Sequence, residues 1–279
     1  MLKVIVVLVW DFLVCYALSR EVLVAAVVTG ILGLYVWLGG YLALLKDGAV
    51  LSKDLSSHER RQLEFARDQI IKDVNRVSGK KLSKLKVYMV PDHESMNATA
   101  YGANCVSVTT GTYINTDPVT MTAVLGHEVS HLLHRDPEFN RAVFASVAIL
   151  MAVFSAASAV SMVLIFFLFL LLTRFRSWTG LFVFKGTTTV VGGMFQLIQR
   201  GIVALYSGIL GLLSRRAEYR CDQYACKLGY GLQLSYFLML AESGSQRQMT
   251  ISEALYRSHP PTEKRIARLE TQIEKQKRA

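Results

Sequence analysis

The stretch GHEVSHLLHRD, from Gly126 to Asp136, contains the residues whose types and spacing are best suited to chemistry. In a helix of about 3.6 residues per turn, His127 and His131 lie one turn apart on one face, where both imidazoles can bind a single metal ion. Glu128 lies on an adjacent face and can accept a proton from a water molecule beside that metal. Because zinc lowers the pKa of such a water to about 7, the spacing predicts metal-assisted hydrolysis of a peptide bond. A chance match to this five-residue pattern is the alternative.

A catalytic zinc site needs a third protein ligand and one open position. His134 lies about two turns from His127, too far along the helix axis to complete a tetrahedral site, so we interpret it as a solvated residue at the helix end. A better candidate is in SRRAEYRCDQYA, where Glu218 and Asp222 are four residues apart on a predicted helix. Glu218 is the predicted zinc ligand, and Asp222 is the predicted acceptor that orients a histidine ring. An ordinary charged helix face has the same spacing and remains the alternative.

Four apolar blocks surround these motifs, at residues 4–19, 22–45, 142–173 and 186–213. Each is compatible with a membrane-spanning helix, which needs roughly 20 residues. Asp11 in the first block is interpreted as a polar residue that faces neighbouring helices, with a functional intramembrane acid as the alternative. Asp11 and the lack of a clear small-residue cleavage site favour a retained span over a cleaved signal peptide.

The proposed ligands also constrain the topology. If His127 and Glu218 share one zinc ion, they lie on the same side of the membrane, and the chain between them crosses an even number of times. Residues 142–173 are too few for two ordinary spans and cross once. Residues 186–213 must therefore return the chain, although they carry Arg200, whose side chain we expect to face protein or water within the bundle.

The formal net charge is +10, but no Lys/Arg run is interleaved with aromatic residues as in a nucleic-acid-binding protein. We therefore use the distribution of basic residues to predict the membrane topology. Cations near the span ends on the side of the polar segments are Lys3, Lys46, Lys53, Arg60, Arg61, Arg135, Arg141, Arg215, Arg216 and Arg220. Those on the other side are Arg20, Arg174, Arg176 and Lys185. This asymmetry predicts that the polar segments face the cytoplasm. The four scattered cysteines are interpreted as reduced thiols, which agrees with a reducing compartment.

Local patterns predict the elements that must position the motif residues. Residues 55–78 have helical periodicity, with Leu63, Ala66, Ile70 and Val74 along one stripe. Strands are predicted at residues 84–90 and, from the alternation of Val106, Val108 and Thr110, in the stretch CVSVTTGTYINT. Asp117-Pro118 predicts the start of the helix that carries the motif. Further helices are predicted around residues 214–228, 233–242 and 262–277.

Three more stretches accompany the two motifs: MNATAYG from Met96, VSVTTGTY from Val106 and SHPPTEKRIARL from Ser258. In this order and spacing, the motifs resemble those of the HtpX-type membrane metalloproteases, relatives of the CAAX prenyl endopeptidases. The resemblance covers residues from about 95 to 136, 214 to 226 and 258 to 269. Thr99 stands where the family commonly has an aromatic residue and Cys221 where alanine is usual, which bears on substrate preference rather than on the chemistry.

The resemblance implies a mainly α fold with a small β-sheet, in which a four-span helical membrane protein carries a zincin-like metalloprotease domain. The implied segments are two N-terminal transmembrane helices (1–46), the first catalytic part (47–141), two further transmembrane helices (142–213) and the second catalytic part (214–279). The implied roles are zinc binding by His127, His131 and Glu218, general-base catalysis by Glu128, and support from Asp222 in the second shell of residues. His259 and Arg265 match residues that approach the active site in relatives, and His259 is expected to stabilise the oxyanion or to be a turn residue. Asn97 is expected to hold an extended substrate beside a strand or to form a structural turn.

The predicted function is hydrolysis of peptide bonds by a zinc-dependent endopeptidase with one Zn²⁺ per chain. The resemblance implies a multi-pass protein of a bacterial-type cell membrane, which removes damaged or misassembled membrane proteins as quality control. Its predicted partners are protein or peptide substrates and the lipid bilayer, and not nucleic acid. Two alternatives remain: a CAAX-like processing protease, whose relatives usually have more spans, and a non-hydrolytic membrane chaperone or scaffold with a structural zinc. A transporter would need polar residues on several spans, and only Asp11 and Arg200 qualify.

Overall fold

The chain is mainly α-helical with one small β-sheet, which confirms the predicted fold class. The computed structural model describes residues 1–78, 82–173, 178–243 and 260–278. The described helices are α1 (Leu2–Ser19), α2 (Val22–Lys46), α3 (Ser57–Ser78), α4 (Thr110–Ile114), α5 (Pro118–Leu133), α6 (Asp136–Thr173), α7 (Trp178–Lys227), α8 (Gly231–Ser243) and α9 (Thr262–Arg278). The described strands are β1 (Val50–Leu51), β2 (Lys86–Val90), β3 (Ala98–Gly102) and β4 (Cys105–Thr109).

Four helical segments are long and apolar enough to cross a membrane: Leu2–Ser19, Val22–Lys46, Asp136–Leu171 and Leu181–Lys227. Many of their large apolar side chains are exposed, as expected where lipid rather than protein covers a helix. Asp11 is buried on α1, which packs against α2, in agreement with a polar residue that faces a neighbouring helix. Arg200 is exposed on α7, and the expectation that its side chain faces protein or water within the bundle stays a prediction.

The contacts divide the chain into two compact units, Met1–Ala142 with Gly211–Ala279, and Val143–Leu210. The second unit is built from the C-terminal part of α6 and the N-terminal part of α7. Within it, the Gln199 side chain donates a hydrogen bond to Ser155 Oγ over 3.1 Å, and the rings of Phe169 and Phe184 lie 4.8 Å apart. Every described residue of the candidate site belongs to the first unit.

The apolar stripe of α3 packs into the main core of the first unit, as its periodicity predicts. Leu63, Ala66, Ile70 and Val74 are all fully buried there. Most other members of this core come from β2, β4 and α5, and include Val87, Met89, Val106, Val108, Met121, Leu125 and Val129. The helix α3 therefore covers the sheet and supports α5 from one side.

The sheet has the strand order β1-β2-β4-β3. The central strands β2 and β4 are parallel, whereas β1 and β3 pair antiparallel to them at the two edges. Helix α2 approaches one end of β3 closely, because a Cβ atom on Gly40 would overlap the Tyr101 carbonyl oxygen. Arg141 donates to the same oxygen and to the Val36 carbonyl oxygen of α2, both over 3.0 Å. These contacts fix the edge strand β3 against the membrane-spanning helix α2.

The motif helix α5 begins where the Asp117-Pro118 pair predicts. Asp117 Oδ1 accepts hydrogen bonds from the backbone N–H groups of Val119 and Thr120, over 2.7 and 3.0 Å, and Pro118 occupies the first turn. Ala123 and Val124 on α5 pack into a second core, formed with apolar residues of α7, α8 and α9. Because α5 lies between two cores, its polar residues are held in a buried and rigid position.

Several element boundaries differ from the prediction. Helix α6 begins at Asp136, before its apolar block, and α7 continues without a break through Ser214 to Lys227. A change from apolar to polar side chains alters what surrounds a helix, but it leaves the backbone hydrogen bonds intact. The prediction that Thr110 belongs to a strand is wrong, because Thr109 caps the short helix α4 and Thr110 is its first residue.

Candidate active site

Three predicted ligands converge where α5 meets the C-terminal part of α7. His127 Nε2 lies 3.4 Å from one carboxylate oxygen of Glu218, and His131 Nε2 lies 3.4 Å from the other. One ligand atom from each of the three residues lies within 4.8 Å of the other two. The two imidazole rings are close, with centroids 5.0 Å apart and planes inclined by 71°. The structure thus brings together residues that are widely separated along the chain.

The spacing of these atoms fits a zinc ion. Tetrahedral coordination with bonds of about 2.0 to 2.1 Å places neighbouring ligand atoms about 3.3 Å apart. The two observed nitrogen–oxygen distances of 3.4 Å match that value. Two imidazoles and one carboxylate are also a donor set that zinc uses in catalytic sites. The residues present therefore fit the metal that the sequence motif predicts.

Two aspartates lie next to the Nδ1 atoms of the histidine rings. His127 Nδ1 lies 3.0 Å from Asp222 Oδ1, and His131 Nδ1 is hydrogen-bonded to Asp136 Oδ2 over 3.0 Å. A proton held on Nδ1 by a carboxylate leaves the Nε2 lone pair free for a metal. Asp222 lies where its predicted role requires, whereas the role of Asp136 was not predicted.

The position of Asp136 results from a sharp turn between two helices. Arg135 has a φ of 55°, in the left-handed region that ends α5, and α6 begins at the next residue. Asp136 also binds the side chains of Lys3 and Arg220, each over 2.6 Å. The sequence offers one signal for this role, a carboxylate five residues after His131 at the end of the motif.

Arg265 contacts the carboxylates of both Glu218 and Asp222. Its guanidinium donates two hydrogen bonds to Asp222, over 2.9 and 2.6 Å, and lies 3.1 Å from Glu218 Oε2. Arg265 is buried, and it is not among the residues that line the cleft in front of the site. These contacts are typical of a residue that positions carboxylates, and the catalytic role expected for Arg265 stays a prediction.

The carboxylates give the site a strong affinity for positive charge. Burial lowers the pKa of His127, but the adjacent Asp222 and Glu218 outweigh it and raise that pKa to about 10. Burial likewise opposes the charge on His131, yet hydrogen bonding to Asp136 leads the effects that raise its pKa well above the usual value. A site that holds protons so firmly also favours a divalent cation in their place.

A cleft of about 460 Å³ lies in front of the candidate ligands. Glu128 and His131 line it on one side, and residues 97–100 along the edge strand β3 line it on another. Asn97 is exposed there, its backbone carbonyl accepts hydrogen bonds from Thr109 and Thr112, and its side chain accepts from the Ala98 N–H group. The bonds from Thr109 and Thr112 hold the Asn97 backbone against the end of β4 and the start of α4, and both roles expected for Asn97, a structural turn and substrate binding, stay predictions. His259 lies outside the described residues.

The family model described as peptidase family M48 matches residues 61–273. The protease HtpX homolog of Methanocaldococcus jannaschii is 30% identical over 244 residues, which cover 77% of this chain and 76% of the relative. The protease HtpX homolog of Acidiphilium cryptum is 27% identical over 259 residues, which cover 83% and 82% of the two chains.

A solved structure shares the fold. The crystal structure of S. mikatae Ste24p matches 94% of this chain with a TM-score of 0.52 and 18% sequence identity, and this chain spans 61% of that one. The family match covers the two ligand-bearing helices and strands β2, β3 and β4, and the resemblance to HtpX-type proteases is confirmed. The chain belongs to peptidase family M48, and it is an HtpX-type integral membrane metalloprotease that hydrolyses peptide bonds.

Proposed function

We propose that the chain is a zinc endopeptidase whose active site faces the cytoplasm and whose substrates are damaged or misassembled membrane proteins. The observation that carries the proposal is the convergence of His127, His131 and Glu218 beside Glu128, at a cleft bordered by an edge strand. When bound, zinc supplies Lewis acidity toward the scissile carbonyl group and the attacking water. The other steps of the proposed mechanism belong to side chains and backbone of this chain.

In this mechanism Glu128 acts as general base and then as general acid. Its side chain lines the cleft and is outside the convergent ligand set, so its carboxylate is available to take a proton from water and return it to the leaving amine. Asp222 and Asp136 keep the two imidazoles in the tautomer that binds metal, and Arg265 holds Glu218 and Asp222 in place. The role of His259 at the oxyanion is part of the proposal.

The edge strand β3 is the proposed substrate-binding element. Among the described strands it pairs only with β4, and residues 97–100 line the cleft. A substrate segment can add to this edge as a further strand, with backbone hydrogen bonds that require no particular sequence. Such binding suits a protease that must accept unfolded segments of many proteins.

The test of this function compares cleavage of unfolded casein and of a membrane protein in proteoliposomes. We expect the zinc-loaded protein to cleave casein, a chelator to abolish cleavage, and the misfolded membrane protein to be cut faster than its folded form. Cleavage restricted to prenylated or other specific peptides would favour a processing protease. Stoichiometric zinc without cleavage of any substrate would favour a structural zinc site in a chaperone or scaffold.

The cytoplasmic orientation gives a separate prediction. Single cysteines replacing the exposed residues Asp68 on α3 and Glu270 on α9 should be labelled by a membrane-impermeant thiol reagent only after the cytoplasmic side is opened. A cysteine replacing Glu21, between α1 and α2, should be labelled in intact cells. Opposite sidedness of positions 68 and 270 would exclude the three-ligand site, since both belong to the segments that carry it.

Replacement of Asp136 tests the support of His131. The substitution Asp136→Asn removes the negative charge that holds the Nδ1 proton, and we expect zinc affinity to fall about 10- to 100-fold. Competition with a chelator of known affinity measures this change. The matched control is Asp68→Asn on the exposed face of α3, which should leave zinc affinity unaltered. An unchanged affinity in Asp136→Asn would remove Asp136 from the metal-supporting residues.

Zinc binding should release protons. The pKa of His127 is raised to about 10 and that of His131 is also raised, so we expect both rings to be protonated at pH 8 in the metal-free protein. Zinc binds only neutral imidazole, and we expect about two protons to leave per zinc ion at pH 8. Titration calorimetry in buffers of different ionisation enthalpy measures this number. A value near zero would mean that the carboxylates do not keep the metal-free rings charged.

A further inference from the structure

One wall of the active-site cleft carries cations that the catalytic mechanism does not use. The side chains of Lys3, Arg216 and Arg220 line the cleft together with Glu128, His131 and residues 97–100 of the edge strand region. Lys3 comes from α1, whereas Arg216 and Arg220 lie one turn apart on α7. Three basic residues from two separate helices therefore border the space where a substrate would lie.

The positive charge of this wall is only partly neutralised. Lys3 Nζ and the Arg220 guanidinium both bind the carboxylate of Asp136, each over 2.6 Å, so two cations share one anion. Their side chains keep 37% and 39% of their surface exposed, which leaves them accessible to a ligand in the cleft. Arg216 is exposed and makes no ion pair with the residues that the structure describes. The wall thus has an excess of two positive charges.

The acidic residues of the cleft do not cancel this excess. Glu218 is buried against His127, His131 and Arg265, where its charge is already matched. Glu128 forms no ion pair with the three cations of the wall among the described residues, and as the proposed base it must remain accessible to water. A bound substrate therefore lies beside a charge-matched Glu218 and a cationic wall.

We propose that this wall selects substrate segments with an acidic side chain within about two residues of the scissile bond. The inference rests on the proposed function, and it adds a specificity that the fold and the metal site do not dictate. Asp136 contacts both His131 and the two cations, so Lys3 and Arg220 are one carboxylate away from a metal ligand. An extended substrate advances about 3.3 Å per residue. The side chains one or two residues from the scissile bond can therefore reach cations that are separated from a metal ligand by one carboxylate.

A peptide is a better occupant of the wall than a lipid headgroup. The cations line the same cleft as Glu128 and His131, and the edge strand that would hold a peptide forms another part of its lining. Electrostatic complementarity at such a partly exposed site changes specificity more than overall affinity. Arg216 is the most informative of the three cations, because it makes no contact with Asp136 or with the candidate ligands among the described residues.

The test uses fluorogenic peptides copied from one mapped cleavage site in casein. Each peptide carries Glu, Gln or Lys at a single position, from two residues before the scissile bond to two residues after it. At one or more of these positions, we expect kcat/KM to fall in the order Glu, Gln, Lys, with the first and last differing roughly three- to tenfold. The difference should shrink in 1 M salt, where the screening length is about 3 Å.

Charge reversal at the wall provides the decisive variant. In Arg216→Glu we expect the ratio of Glu-peptide to Lys-peptide cleavage to fall to about one or to invert. Arg61→Glu on the exposed surface of α3 makes the same change of charge away from the cleft and should keep the wild-type ratio. Measurements in neutral detergent and in vesicles with anionic lipid distinguish a peptide effect from a lipid effect.

The possible outcomes separate the inference from the proposed function. Cleavage of all peptides with equal kcat/KM, or an unchanged ratio in Arg216→Glu, would overturn the acidic preference while leaving the protease intact. A change in Arg216→Glu that affects every peptide alike, and only in anionic vesicles, would also overturn it and assign the cations to lipid headgroups. No cleavage of any peptide by the zinc-loaded wild type would instead contradict the proposed function.

Discussion

Replacement of Glu128 by glutamine should abolish proteolysis while zinc remains bound. The amide keeps the size of the side chain but cannot accept a proton from water, so the step that generates the nucleophile loses its base. General-base catalysis contributes about 10²- to 10⁴-fold to rates, and we expect kcat for casein cleavage to fall by at least that factor. The three candidate ligands are unaltered, because Glu128 is not part of the convergent set.

Two measurements on the same preparations check this expectation: zinc per chain by elemental analysis, and the rate of casein cleavage. The matched control is Glu270→Gln, the same substitution at an exposed position on α9, which should retain both zinc and activity. If Glu128→Gln keeps zinc and cleaves within tenfold of the wild-type rate, another group is the base. If it loses zinc, Glu128 is needed for the metal site itself.

The parts of this site that follow from local sequence were predicted well. The stripe of α3, the cap of α5 and the shared face of His127 and His131 depend on spacings of a few residues, which helix geometry fixes without knowledge of the rest of the fold. Glu218 and Asp222 were found in the same way, since residues four apart on a helix share a face. Spacing made Glu218 the candidate third ligand on α5's metal site but left an ordinary charged helix face open, and the resemblance to a family favoured the ligand.

The contacts that were missed connect distant parts of the chain. Asp136 reaches His131 because Arg135 takes a left-handed conformation, and it meets Lys3 because α1 packs near the start of α6. Spacing cannot reveal such partners, since a turn conformation and the packing of helices decide them. The unbroken course of α7 was missed for another reason. Its side chains change from apolar to polar near Ser214, and composition marks the edge of the membrane rather than the end of a helix.

Replacement of Glu218 by alanine should remove zinc from the protein. Its two carboxylate oxygens face the two histidines at 3.4 Å, so the substitution leaves only two protein ligands for the metal. Loss of a residue that only supports a ligand lowers metal affinity by up to about 100-fold. We expect loss of the ligand Glu218 to lower zinc affinity by more than that. Asp222 still binds Arg265 in this variant, so the buried guanidinium keeps a partner and the fold should persist.

Thermal unfolding with and without zinc separates loss of the metal from loss of the fold. A ligand that binds only the folded state stabilises it, so added zinc should raise the Tm of the wild type and of Glu128→Gln, but not that of Glu218→Ala. Glu270→Ala is the matched control and should respond to zinc as the wild type does. Near-stoichiometric zinc in Glu218→Ala would remove Glu218 from the ligands and require a different third donor. Loss of zinc with a cooperative unfolding transition retained would establish Glu218 as a ligand, because the fold would then persist without the metal.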